Sequence, residues 1–384
     1  MISLKGMSTS LLSHRRLIPL RPFFIASFST LVERSTGSST AALVDCLITT
    51  FEFPETQAVS IAARFLRRKS SQKPQALYAY LRDLGFSHDH IQSTISGAPQ
   101  ILFGNVDKNL KPKIELFQKL GLEGPRLGKF LSKNAAVLTA SLEKRMRPRL
   151  QILRDNFSEK DVVRAAERCN WIIYKFPDSR LLSNIALLKS CGIVGSQLSM
   201  LLRMQPRVFL TKESELRGIV SRTLDFGFSV ESRMFVHGLY TVSGWSDATL
   251  NRKFAIFEGF GFSRGKCIAM FRIAPGMMRL SSEKLRFGVD FFLNTVKLTK
   301  EAVVRRPGLL MYSMEERVIP RYRVVEIMES KGLFKKKPNF SSVVNYTTEQ
   351  FVQKFVFMYL DHAEELLMAH NGHNVDLSKG ATCV

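Results

Sequence analysis

Three groups of residues in this sequence have the types that catalysis, metal binding or phosphate binding needs. Glu315 and Glu316 stand side by side, as two carboxylates for acid–base catalysis could, within RRPGLLMYSMEERVIPRYRVV (305–325). His88 and His90 offer two imidazoles as metal ligands. GFGFSRGK (259–266) imitates a phosphate-binding loop. The local context of each group decides between a site and a structural role.

The acidic pair and the two histidines have the wrong spacing for chemistry. Adjacent residues on a helix do not face each other, and carboxylates in a first turn are ordinary complements of the helix dipole. His88 and His90 point to different helix faces, and no third ligand is evident. With no nucleophile, base and orienting group together, we predict that the chain is not an enzyme and uses no cofactor or metal.

The glycine-rich stretch also fails its motif. A Walker A loop reads G-x-x-x-x-G-K-[ST], but here Phe260 and Cys267 take the places of the first glycine and of the hydroxyl residue. The same Gly-Phe-Ser recurs at 85–87 and 227–229. Recurrence at three places indicates punctuation of a repeat rather than one phosphate site.

The net charge points to a polyanionic partner. Lys and Arg number 56 against 33 Asp and Glu, which gives +23 at pH 7 over 384 residues. Phosphates of nucleic acids attract such a protein independently of sequence. An anionic membrane surface is the alternative, but no basic amphipathic helix dominates one end and no apolar run predicts a span. The five cysteines include no C-x-x-C pair, which argues against a disulfide framework or zinc site.

Residues 1–40 are predicted to be an organelle transit peptide. Glu33 is the first acidic residue, and Ser and Thr are frequent before it. The basic residues that precede it are Lys5, Arg15, Arg16 and Arg21. These arginines interrupt the apolar residues, unlike the charges of a secretory signal. The arginine content favours the mitochondrion, with the chloroplast as the alternative.

A helical repeat with a period of roughly 35 residues organises the rest of the chain. A proline marks the same place in four copies, and other residues take that place in three more. The marker positions are Pro99, Ala135, Asn170, Pro206, Leu239, Pro275 and Pro307. Each copy has two amphipathic stretches, and strand patterns are nearly absent. We therefore predict an all-α stack of helical hairpins, with the Leu239 copy the least regular.

The repeat also predicts helix boundaries. Prolines at the marker should end the first helix, since proline cannot continue the hydrogen-bond ladder. The predicted N-caps of first helices are Ser87, Ser229, Ser263 and Thr299. Ser313 with Glu316 has a capping-box pattern at the start of a second helix. Pro112, Pro148 and Pro320 should either kink the second helix or restart it with proline in its first turn.

The motifs of the repeat resemble the mTERF family, the relatives of mitochondrial transcription termination factors, and its plant branch in particular. They are LGFS (84–87), FGFS (226–229 and 260–263), P-x-x-[LM] and S-[LM]-E-x-R-x-x-P-R. PGMMRLSSEKL (275–285) and TTEQFVQKF (347–355) are also similar to plant members. The resemblance covers about residues 76–360, with Ala135 and Asn170 departing from the family's proline.

The resemblance implies a superhelical α-solenoid of about seven to eight mTERF-type repeats. It also implies organelle targeting, nucleic-acid binding along a basic groove, and a role in transcription termination or initiation, intron splicing or ribosome assembly. We accordingly divide the chain into a transit peptide (1–40), a helical lead-in (41–75), the solenoid (76–370) and a flexible tail (371–384).

Basic residues that recur beside the second-helix proline, or at nearby phases, are the predicted nucleic-acid contacts. They are Lys111, Lys113, Arg147, Arg149, Arg217, Arg252, Lys253, Arg286, Arg317, Arg321 and Arg323. Their charges would neutralise phosphates and so position the ligand without reading its sequence. DNA and RNA fit such a stripe equally.

The predicted mechanism is occupancy of organellar DNA or RNA by a monomer, with other organellar gene-expression proteins as further partners. The alternative is a protein-interaction scaffold in organellar ribosome assembly or a transcription complex.

Overall fold

The computed structural model describes residues 38–65 and 74–371. The predicted transit peptide lies outside the described residues except for 38–40, and the predicted tail lies outside them except for 371. The chain forms two compact units, Met1–Leu142 and Glu143–Val384.

Every regular element in the described part of the chain is helical, which confirms the all-α prediction. The α-helices of the first unit are Ser38–Thr49, Glu55–Ala63, Pro74–Asp83, His88–Gly97, Lys111–Lys119 and Gly124–Asn134. The α-helices of the second unit are Arg147–Asn156, Glu159–Arg168, Trp171–Tyr174, Asp178–Ser190, Gly195–Met204, Glu213–Asp225, Met234–Gly244, Asp247–Gly259, Arg264–Ile273, Ser282–Asp290, Lys300–Arg305, Ile319–Ser330, Phe340–Val343, Thr348–Val352 and Ala363–Asn371.

Except in the Leu239 copy, the marker position ends the first helix of a repeat with or without proline. Ala98 and Ala274 precede a proline with φ of −147° and −135°, and a five-residue 3₁₀ turn begins at each proline. Asn134 has φ of −134°, and the 3₁₀ turn Ala135–Thr139 follows without a proline. The predicted helix break is confirmed. The feature that these copies share is a residue before the turn that has left the helical region, with φ near −140° and ψ of 27° to 72°.

The second-helix prolines lie where one wider helical turn passes into an α-helix. The π-helical turns Val106–Leu110 and Met314–Val318 lead directly into helices whose second residue is Pro112 or Pro320. Pro148 has the same place in Arg147–Asn156. A π turn holds one more residue than an α turn, so it shifts the register of every side chain after it. The backbone at Leu110, Met146 and Val318 stays in the right-handed helical region, so the helix continues through the junction and the proline lies in the first turn of its α segment.

Glycine ends the second helix in the left-handed conformation that side chains rarely adopt. Gly85 and Gly261 have φ of 82° and 79°. The amide of Phe262, which follows, donates to the carbonyl of Phe257 at 3.2 Å, as in a Schellman motif. Ser263 then caps the next helix by accepting from the amide of Lys266. The interpretation of GFGFSRGK as repeat punctuation is confirmed.

The predicted caps are confirmed at Ser87, Ser263 and Thr299 but wrong at Ser229. The next helix begins only at Met234, and the Ser229 hydroxyl accepts instead from the amide of Glu231. A Cβ on Gly238 would lie 2.8 Å from the ring of Phe228, so this ring packs closely against the helix Met234–Gly244.

The Leu239 copy also lacks the usual turn. Leu239 lies within the helix Met234–Gly244, with no separate 3₁₀ turn between first and second helix. Elsewhere the apolar residues of the repeat are core: Met270, Phe271, Met277 and Met278 are fully buried.

Candidate nucleic-acid interface

Three of the predicted phosphate ligands are buried and serve the fold. Arg149, Lys253 and Arg321 have exposed fractions of 0%, 5% and 1%. Burying a charge is costly unless it is paired and hydrogen-bonded. The partners of these cations are backbone carbonyls of the following repeat and, for Arg149, also the carboxylate of Asp178. These three residues therefore serve the fold, and we do not propose them as phosphate contacts.

Arg321 shows the arrangement most fully. Its Nη1 donates to the carbonyl oxygens of Val343, Val344 and Tyr346 at 3.0, 3.0 and 2.7 Å. These carbonyls lie in and just after the short helix Phe340–Val343, whose last carbonyls have no partner within the helix. Burial, followed by the neighbouring charge of Arg317, lowers the pKa of Arg321 to about 10. The guanidinium therefore still carries its charge at neutral pH.

Arg149 holds the irregular segment 172–178, which follows it in the chain, in a similar way. Its Nε donates to Asp178 Oδ1 at 2.6 Å, its Nη1 to the Ile172 carbonyl at 3.4 Å and its Nη2 to the Phe176 carbonyl. The guanidinium thus ties three points of one loop together. It has no donor left in a position to reach a phosphate, since the residue is fully buried.

Lysine and asparagine take the same place in other repeats. Lys253 Nζ donates to the Leu280 carbonyl and Lys113 Nζ to the Leu138 carbonyl, and burial lowers the pKa of both lysines. Asn184 Nδ2 donates to the carbonyls of Phe209 and Thr211 at 3.1 and 2.9 Å. We call these side chains the carbonyl clasp; its members are Lys113, Arg149, Asn184, Lys253 and Arg321.

The sequence prediction missed Asn184 because it selected only positively charged residues, and asparagine is neutral. Asn184 lies one repeat after Arg149, as Arg149 lies one repeat after Lys113. The repeat spacing itself would have found it. A neutral amide in this position indicates that the clasp needs a hydrogen-bond donor rather than a positive charge.

The other predicted contacts divide into three groups. Arg147 and Arg217 are exposed but pair with Glu143 and Glu213 one turn away, at 2.9 and 2.7 Å. Arg317 is half-buried and donates to the carbonyls of Val344 and Tyr346 at 2.9 and 2.6 Å. Side chains without a carboxylate partner among the described residues make up the third group. They are Lys111, Arg252 and Arg286, which are exposed, and Arg323, which is half-buried.

A set of cations that the repeat phase did not indicate lies on aromatic rings at the turns of the second unit. Lys175 Nζ and the guanidinium carbon of Arg207 lie 3.5 and 5.4 Å from the ring centroid of Trp171. Arg279 lies 3.8 Å from the ring of Tyr240. Arg168 donates to the hydroxyl of that tyrosine at 3.1 Å.

We call these four exposed residues the ring-held cations: Arg168, Lys175, Arg207 and Arg279. None of them has a carboxylate partner in the part of the chain that the structure describes. Since a ring does not neutralise a cation as a carboxylate does, their charge stays available to an anion. Of the surfaces described, this one has the features of an anion-binding interface.

The remaining motifs have structural roles. His88 bonds to Tyr78 at 3.3 Å and pairs with Glu52 at 3.5 Å, while the ring of His90 packs edge-on against Phe86. Within the described ranges, no three His, Cys, Asp or Glu side chains come together as metal ligands. No helix in those ranges is long and apolar enough to cross a membrane.

The fold and the exposed cations together define a basic helical-repeat protein. A family model described as mTERF matches residues 56–257 and 239–352. The chain belongs to the mTERF family, and the resemblance seen in its motifs is confirmed. It is 20% identical over 291 residues to the chloroplastic transcription termination factor MTERF8 of Arabidopsis thaliana. The match covers 75% of this chain and 56% of the relative, so the chain spans about half the length of that relative.

Proposed function

We propose that this protein binds organellar DNA or RNA and regulates organelle gene expression by occupying the phosphate backbone. The observation that carries the proposal is the set of ring-held cations, which are exposed and have no carboxylate partner in the described residues. Family membership supports a role in transcription termination or in another step of organelle gene expression. The Arabidopsis relative is a chloroplastic protein, while the arginines of the N-terminal segment favour the mitochondrion.

The mechanism follows from the kind of contact. Arg and Lys that neutralise phosphates release counterions, so affinity falls as salt concentration rises. Such contacts fix the position of the protein on the polymer and carry little sequence information. A bound chain would act as an obstacle or clamp on a transcript or its template.

A binding titration against salt tests the proposal. For the wild-type chain we expect log K to fall linearly with log salt concentration, for a duplex, a single strand or both. The variant Lys175→Ala/Arg207→Ala/Arg279→Ala should lose affinity and have a shallower slope, by roughly 0.7–0.9 for each phosphate contact removed. The matched control is Arg147→Ala/Arg217→Ala, whose cations are already paired with glutamates and should matter less. A flat wild-type slope would contradict the proposal.

A protein-interaction scaffold in organellar ribosome assembly or a transcription complex is the second candidate. Phe357, Met358 and Leu360 favour it, because they are 46%, 70% and 77% exposed within four residues of chain. Exposed apolar clusters mark interaction sites. Partners that co-purify after nuclease treatment, and that are lost on Met358→Ser/Leu360→Ser, would support this function.

A further inference from the structure

The short helix Trp171–Tyr174 exposes an indole at its first residue. Trp171 is 37% exposed, while its neighbours Ile172 and Ile173 are fully buried. The chain has only two tryptophans. Tryptophan offers the largest aromatic face of any side chain, and aromatic faces on basic surfaces are the groups on which unpaired bases stack.

Two cations lie against this indole, as described above for Lys175 and Arg207. Both are exposed, and neither has a carboxylate partner among the described residues. One ring and two available charges match the two parts of a nucleotide. The ring fits the face of a base, and the cations fit the phosphates on either side of it.

The loop that carries Lys175 is strained and firmly held. Phe176 has φ of +125°, an outlier for a bulky side chain. The buried guanidinium of Arg149 ties the carbonyls of Ile172 and Phe176 and the carboxylate of Asp178 together. A strained backbone conformation persists only where surrounding contacts hold it, and such conformations cluster at functional sites. Arg149 therefore acts as a positioning residue that presents the indole and Lys175 on a rigid support.

We propose that Trp171, Lys175 and Arg207 form a stacking site for an unpaired base of a single-stranded nucleic acid; this proposal rests on the proposed function. The base stacks on the indole and displaces the ammonium of Lys175, which turns to a flanking phosphate. An exposed cation–π contact is weaker than base–aromatic stacking, so the exchange favours binding. A base paired within a duplex does not offer its face, so the site selects single strands.

Fluorescence of the full chain tests the stacking site directly. In Trp245→Phe, Trp171 is the remaining tryptophan. We expect its emission to be quenched by a single-stranded oligouridylate and to change little with a blunt duplex of equal length. In an otherwise wild-type chain, Trp171→Ala should weaken binding of the single strand about tenfold, as loss of one stacked base does. Its duplex affinity should stay unchanged. Trp171→Phe should recover part of the loss, and all variants should keep the wild-type circular dichroism spectrum.

The outcomes separate this proposal from the function on which it rests. If Trp171→Ala binds the single strand as tightly as wild type while the chain still binds nucleic acid, the stacking site is overturned and the proposed function stands. If the wild-type chain binds neither polymer, both are overturned. Equal loss of duplex and single-strand affinity in Trp171→Ala would also overturn the stacking site, because it would mean a general contact.

Discussion

The carbonyl clasp and the ring-held cations use the same two residue types in opposite ways. Arg149, Lys253 and Arg321 are buried and donate to carbonyls of the next repeat, whereas Lys175 and Arg207 are exposed on an indole. The clasp recurs at one phase of the repeat, and the ring-held cations do not share a phase. In a repeat protein, a basic residue that recurs in phase can therefore indicate what the fold requires, while the ligand meets residues that differ between repeats.

Arg321→Ala should have the largest effect and tests the buried side of this comparison. The carbonyls of Val343, Val344 and Tyr346 would lose their donor in a buried place, and an unpaired buried polar group costs about 1–3 kcal/mol. We expect the free energy of unfolding in urea to fall by about 3 kcal/mol or more. The matched control is Arg286→Ala, which replaces an exposed arginine on another second helix. We expect it to change the free energy of unfolding by no more than about 0.5 kcal/mol. If Arg321→Ala and Arg286→Ala lowered the free energy of unfolding equally, the carbonyl bonds of Arg321 would not stabilise the fold.

Asn184→Ala should have an intermediate effect and asks whether the clasp needs charge. The two carbonyls that Asn184 bonds would be left unpaired, so we expect a loss of about 1–3 kcal/mol in the urea unfolding free energy. The slope of nucleic-acid affinity against salt should not change. The control is Ser183→Ala, next in the chain, whose hydroxyl donates to the carbonyl of Arg180 in its own helix, and we expect it to have little effect. If Asn184→Ala unfolded with the wild-type free energy, uncharged donors would not stabilise the turns.

The sequence predicts the repeat well because local chemistry determines it. Proline restricts its predecessor, glycine accepts the left-handed conformation after Phe260, and Ser87 and Ser263 cap helices wherever the next residues are helical. These effects act within a few residues, so pattern and spacing reveal them. Ser229 shows the limit, since the helix after it begins only at Met234 and the local pattern does not indicate this delay.

The candidate site is less predictable, because burial of a charged group depends on contacts one repeat away. Nothing beside Arg321 in the sequence shows that carbonyls of residues 343–346 surround it, and the π turn before Pro320 shifts which face of the helix the arginine occupies. Trp171 and Arg207 meet only in the folded chain. The repeat spacing alone predicts a hydrogen-bond donor at the clasp position. It does not predict which carbonyls accept from that donor.

Lys253→Met should have the smallest effect on the free energy of unfolding. The pH dependence of this effect tests whether the clasp needs a hydrogen-bond donor or a positive charge. Burial lowers the pKa of Lys253 below its usual 10.5. Below that lowered pKa the ammonium is protonated in both the folded and the unfolded chain. Between the lowered pKa and 10.5 the unfolded chain holds more protons, so wild type should gain stability as pH rises.

The measurement is the difference in urea unfolding free energy between wild type and Lys253→Met from pH 7 to 11. We expect this difference to rise toward alkaline pH, because the neutral amine still donates to the Leu280 carbonyl without the cost of a buried charge. Arg252→Met, at the exposed residue beside it, should give a flat difference. A difference that falls with pH would mean that the positive charge itself stabilises the turn. The clasp would then stabilise the turns through its charge, and it would differ from the ring-held cations only in being buried.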